Sequence, residues 1–128
     1  MAVLSGSTPK YLLRIYSEAG VQLDPSNTGQ VLEVKVFIYN AITGEYVGRF
    51  ILRESPLPLG YTRLSTKEVE AGDVRVLMVL TSAMTAAAAG ASNEIQIDIH
   101  VPDADVAETG VRIIKNRGKF HEVLKAKL

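Results

Sequence analysis

The sequence predicts an all-β domain, an antiparallel two-sheet β-sandwich with one short helical crossover near residues 82–89. Three observations predict it. Residues 94–101 alternate strictly, with Glu94, Gln96, Asp98 and His100 on one side and Ile95, Ile97, Ile99 and Val101 on the other. Such period-two alternation puts one face in a core and one in water, as antiparallel sheets do. Residues 31–53 read as a hairpin, two strand-forming runs joined by a tight turn that carries Gly44. No long amphipathic helix separates the strands, which argues against a parallel α/β sheet.

The elements follow in order. Residues 11–16 form a first strand with Tyr11, Leu13 and Ile15 on one face, and the turn-rich segment 17–30 is a loop. In the strand 31–39, Val34, Val36 and Ile38 point one way, and Glu33, Lys35, Phe37 and Tyr39 the other. Alternation in the return strand 46–53 sets Val47 and Ile51 with Arg49 and Arg53, and Tyr46 with Phe50 and Leu52. Pro56 and Pro58 lack N–H groups, so 54–60 is a loop or sheet edge. A short strand at 61–64 and a turn at 71–73 follow. Residues 74–80 are apolar almost throughout, which predicts a strand covered on both faces.

Thr81 or Ser82 N-caps a helical turn over 83–89, and Gly90 suits the left-handed position that ends it. The alanines of this turn let a crossover lie flat on a sheet. Residues 102–109 form an acidic loop. Residues 110–115 and 119–124 read as a last hairpin across Asn116-Arg117-Gly118. The whole, 1–128, reads as a single domain with an N-terminal arm (1–10) and a C-terminal tail (125–128).

Composition narrows the function. There is no cysteine, hence no disulfide framework and no thiolate metal site. Fourteen basic and fourteen acidic residues cancel, which argues against nucleic acid as a partner and removes self-repulsion. A hydrophobic content of 47% fits either buried intersubunit surface, hence a homo-oligomer, or an ordinary rich core. The first residues lack a secretory signal, and no run is long and apolar enough to span a membrane.

No catalytic site emerges. His100 and His121 are the two histidines, no Gly-x-Ser-x-Gly elbow exists, and no metal-ligand spacing includes them. Asp103, Asp105 and Glu108 read as a solvated acidic loop rather than a Ca²⁺ site. No glycine-rich phosphate cradle is present, so no metal and no cofactor are assigned. The basic residues Arg112, Lys115, Arg117, Lys119, Lys125 and Lys127 read as a guard on a sheet edge. The candidate interface is Pro56, Leu57, Pro58 and Leu59 with Tyr61, since apolar groups on a stiff loop bind with little loss of entropy; the alternative is that these leucines cap the core. Tyr39, Tyr46 and Tyr61 carry the alternative of a carbohydrate- or cell-surface-binding module, although a sugar platform would favour the tryptophan this chain lacks. Tyr39 and Tyr46 flank the hairpin turn, which predicts a cross-strand pair.

The run Leu80-Thr81-Ser82-Ala83-Met84-Thr85, then Ala89-Gly90, then Ile97-Asp98-Ile99, resembles a pattern in small immunoglobulin-like (Ig-like) domains of tailed-phage structural proteins. The N-terminal domain of phage baseplate upper proteins is one of these. The resemblance covers residues 74–124, with Arg117-Gly118-Lys119-Phe120 as the closing turn and strand. Where such domains often place an aromatic after the glycine, this chain has Ala91, Ser92 and Asn93. The resemblance implies a non-enzymatic structural protein of a tailed bacteriophage virion, a capsid-decorating or head-fibre module or a tail-neck accessory. It would be assembled in the host cytoplasm, with other virion proteins as partners. The family carries no active site.

Overall fold

The computed structural model describes residues 3–120 and 123–124. In chain order the elements are β1 (Val3–Leu4), β2 (Lys10–Leu13), β3 (Ile15–Tyr16), β4 (Gln22–Leu23), β5 (Glu33–Asn40), β6 (Tyr46–Ile51), β7 (Thr62–Arg63), β8 (Ser65–Glu70), β9 (Asp73–Val79), α1 (Ser82–Ala88), β10 (Asn93–Pro102), β11 (Val111–Lys119) and β12 (Val123–Leu124). The protein is all-β with one short helix. A five-stranded sheet runs β11-β10-β5-β6-β7, antiparallel except where β7 joins β6 in parallel. A three-stranded antiparallel sheet runs β2-β9-β8. Two short pairs, β3-β4 and the parallel β1-β12, complete the described strands.

Alternation builds the core. Val34, Val36 and Ile38 of β5, Phe50 of β6, and Ile99 and Val101 of β10 join Val76 and Met78 of β9 in one buried cluster. Each such side chain stabilises the fold by about 1.5–3 kcal/mol. Both large sheets draw on this one cluster, so neither has a core of its own. The first strand divides at Arg14, and its halves pair with different partners, yet Tyr11, Leu13 and Ile15 all meet the core as alternation predicts.

The helix obeys its capping signals. The Thr81 hydroxyl accepts from Met84 N–H at 3.2 Å, and Gly90 follows at φ +68°. The described part of the N-terminal segment lies against this helix: Gly6 N–H donates to Thr85 Oγ1 at 2.9 Å, and that hydroxyl donates to Ser7 O at 2.8 Å. Asn93, buried, bonds Ala88 O and Ala91 O at 3.2 Å each and ties the helix end to β10.

Four expectations are corrected. The segment 116–118 is not a turn: β11 continues through it, with Asn116 opposite Ile97 and Gly118 opposite Ile95. The ten-residue β10 offers partners along that whole length, and the real reversal is the 103–110 loop, where Asp103 N–H donates to Gly110 O at 2.8 Å. Strand β9 is not covered on both faces: Val74, Val76 and Met78 are buried, while Leu77 is half-buried and Val79 exposed. The segment 17–30 contains β4, which pairs back on β3. In β6 a bulge between the Ile38 and Tyr39 positions leaves Val47 extra, so Tyr46 lies opposite Tyr39 and not on the face of Phe50. The residues 1–2, His121, Glu122 and the 125–128 tail lie outside the described residues.

Charged side chains pin the loops. Arg112 bonds Asp103 at 2.8 Å and also pairs with Glu18, which gives the acidic loop a structural use. Asp73 accepts from Arg75 at 2.7 Å and Gln22 at 2.8 Å, with Arg14 at 3.5 Å. The Arg75 bond first, then the Gln22 bond, holds its carboxyl well below the ordinary value of 3.8. A depressed carboxyl stabilises the fold fully above its unfolded value of about 3.9 and loses that effect as pH falls below it. Asp73→Asn is therefore expected to be less stable than the parent at neutral pH, in chemical denaturation, with the gap closing as pH drops from about 5 to about 2. A gap that stays constant over that range would refute this role.

Candidate functional site

The outer face of the five-stranded sheet carries a row of aromatic side chains. Alternation along β5 sends Phe37 and Tyr39 outward, and the bulge in β6 brings Tyr46 to the same side. Phe37 and Tyr46 have centroids 5.7 Å apart and Tyr39 and Tyr46 6.4 Å, all tilted or edge-on. The parallel addition of β7 lets Tyr61 join the row, its ring 6.3 Å from Phe37. The Arg49 guanidinium stacks 4.3 Å over Tyr46, a cation–π contact.

Polar groups border the row. Tyr39 OH donates to Glu94 Oε2 at 3.0 Å, and burial, then this acidic acceptor, pushes the phenol above its usual value. Arg117 Nε donates to Gln96 Oε1 at 2.9 Å, and Gln96 Nε2 donates to the nearly buried Asp98 at 2.9 Å. Phe37, Tyr39, Gly44, Tyr46, Gln96 and Arg117 line a groove of about 190 Å³. The turn at its end is set by Asn40, whose Oδ1 accepts from Ile42 and Thr43 N–H at 2.8 and 3.1 Å. Gly44 closes the turn at φ +76°, a conformation that suits glycine.

The predicted loop lies next to this row. Pro56, Leu57 and Leu59 are exposed, Leu59 completely and Leu57 at 44%; Pro58 and Tyr61 are half-buried. These leucines therefore do not cap the core. The Ser55–Pro56 peptide bond is cis. Tyr61 N–H donates to Pro58 O at 3.1 Å, and Gly60 lies beside Tyr46–Arg49, so loop and aromatic row are one continuous surface.

A reciprocal latch anchors the loop. Glu33 Oε1 accepts from Val34, Leu52 and Arg53 N–H at 2.9, 3.0 and 2.8 Å, and Oε2 from Glu54 N–H at 2.7 Å. Arg53 returns the gesture: its guanidinium donates to Val31 O at 2.8 Å, to Leu32 O and to Pro25 O. Phe37, Arg49, Arg117 and the latch residue Glu33 were not marked as functional by the sequence. The available signal was an aromatic, Phe37, on the wet face of an alternating strand.

The remaining candidates lie outside the aromatic row, with His100 opposite the latch residue Glu33. His100 is half-buried on the outer face, and burial, then Lys35, lowers its pKa. Among the described residues no group of His, Asp and Glu gathers to hold a metal, and no helix is long and apolar enough to cross a membrane. No protein-family model, curated protein or solved structure matches the chain. What the site can do follows from its surface alone: it presents apolar, aromatic and cationic groups to solvent.

Proposed function

We propose that this chain is a non-enzymatic interaction protein built on an Ig-like β-sandwich. Its proposed setting is the particle of a tailed bacteriophage, as a capsid-decorating, head-fibre or tail-neck accessory module. The observation that carries the reading is the joined surface of an exposed, proline-stiffened Leu57–Leu59 loop and a Tyr46–Arg49 stack. Tyrosine and arginine beside apolar anchors are the groups that dominate protein–protein binding. Phage-domain resemblance in residues 74–124 supplies the particle setting.

The test is mass spectrometry of purified tailed particles from cells that carry the gene. Peptides of this chain at a fixed ratio to the major capsid or tail protein are expected. Peptides found only in the soluble lysate would remove the virion assignment.

A carbohydrate-binding reading has one observation in its favour, the gathering of Tyr39 and Tyr46 with Gln96 and Arg117 around a groove. Two facts rank it second. The rings tilt 51–75° against one another and do not form a flat platform. The groove, about 190 Å³, is below the roughly 300 Å³ of common small-molecule pockets. A glycan array with Tyr39→Ala and Tyr61→Ala as controls decides between them.

A further inference from the structure

We propose that the groove lined by Phe37, Tyr39, Tyr46 and Arg117 receives the 54–59 loop of a second copy of this chain. This rests on the interaction-protein reading and goes beyond it by naming the partner. The chemistry matches on both sides. Aromatic-lined grooves take proline-rich segments because the proline backbone is stiff before it binds. The groove volume of about 190 Å³ equals roughly six waters, enough for one or two aliphatic side chains. The chain itself displays a proline-containing loop, Pro56-Leu57-Pro58-Leu59, with both leucines turned to solvent.

Charge complementarity selects a second copy over an unrelated peptide. Among the described residues no ion pair engages Arg49 or Arg117, the two cations that flank the groove. Nor does any ion pair engage the exposed Glu54 side chain, the acidic residue that opens the loop. Loop and groove thus carry opposite charges that no ion pair neutralises among the described residues, Arg49 resting on Tyr46 and Arg117 on Gln96, with Glu94 held by the Tyr39 hydroxyl. With formal charge zero, two copies do not repel each other over distance. Tyr61 packs on Phe37, so loop and groove are neighbours on one face. A two-fold axis then lets each copy give its loop and receive the other's, and the assembly closes as a dimer.

Sedimentation equilibrium of the full chain over a micromolar-to-millimolar series tests this. A dimer is expected. Leu59→Asp and Tyr46→Ala should each raise its dissociation constant at least about tenfold. Glu54→Arg and Arg117→Glu should each weaken it, and the two together should recover most of the loss. The altered side chains are exposed, so unchanged thermal melts serve as the folding control. A monomer throughout, or self-association indifferent to Leu59→Asp and Tyr46→Ala, overturns the inference, as does a double charge reversal no better than the weaker single one. A monomer that particles still retain through Leu59 overturns only the second-copy assignment. A monomer absent from particles removes the virion assignment as well.

Discussion

Glu33→Ala is expected to destabilise the protein by about 3 kcal/mol in urea denaturation. One carboxylate accepts four backbone N–H groups, from Val34, Leu52, Arg53 and Glu54. A hydrogen bond to a charged group contributes roughly 1.5–3 kcal/mol, and a donor left without water or partner costs roughly 1–3 kcal/mol. Simple addition would overshoot, because Leu52 N–H also reaches Val34 O at 3.1 Å and the site is only half-buried. Glu33→Gln should cost about 1–2 kcal/mol, because its amide nitrogen must face a backbone donor wherever it points. The loss should be local before it is global. Hydrogen exchange at the Arg53 and Glu54 amides should accelerate first, since those bonds hold the base of the 54–60 loop. Arg53→Ala removes the other half of the latch, so its cost and that of Glu33→Ala should not add. A Glu33→Ala protein within about 0.5 kcal/mol of the parent would show that the backbone alone sets this corner.

The parts of the fold legible in the sequence are those where one residue's side is decided by its own polarity. Strand β10 alternates Ile against Glu, Gln, Asp and His, and its apolar side meets the core along its length. Strand β5, the Asn40–Glu45 turn and the Thr81 cap follow in the same way, because local chemistry and burial agree there. What was hidden depends on partners distant in sequence. Strand β8, Ser-Thr-Lys-Glu-Val-Glu, has all six residues exposed and no apolar period; it is a strand because β9 pairs with it. Gly118 looks like a turn residue but lies in a ladder with Ile95, since β10 is long enough to hold it.

The candidate site divides along the same line. The prolines marked the 54–60 loop, because missing N–H groups are visible in the sequence. The aromatic row was not visible as a unit. Its assembly needs the extra residue Val47 to turn Tyr46 outward and a parallel β7 to bring Tyr61 to Phe37. A bulge is a misfit between two strands, so neither strand's own periodicity reveals it.

Gly48→Val is expected to cost about 3 kcal/mol, and Gly48→Ala about 1 kcal/mol. Gly48 lies buried on β6 opposite Ile38, where α1 crosses the sheet. A Cβ there would stand 3.0 Å from Phe50 Cε1, 3.1 Å from Met84 Sδ and 3.3 Å from Phe50 Cζ. The two obstacles differ. Met84 is a flexible side chain on α1 and can swing aside. Phe50 is completely buried within the core and has nowhere to go. Met84→Ala should therefore recover part of the Gly48→Ala loss and less of the Gly48→Val loss, because valine adds two γ-methyls to a Cβ that already crowds the Phe50 ring. A double-mutant cycle by thermal or urea unfolding measures this coupling. If Met84→Ala and Gly48→Ala add without coupling, α1 does not rest on Gly48, and the close approach of helix to sheet must be maintained by Thr85 and Ala88 instead.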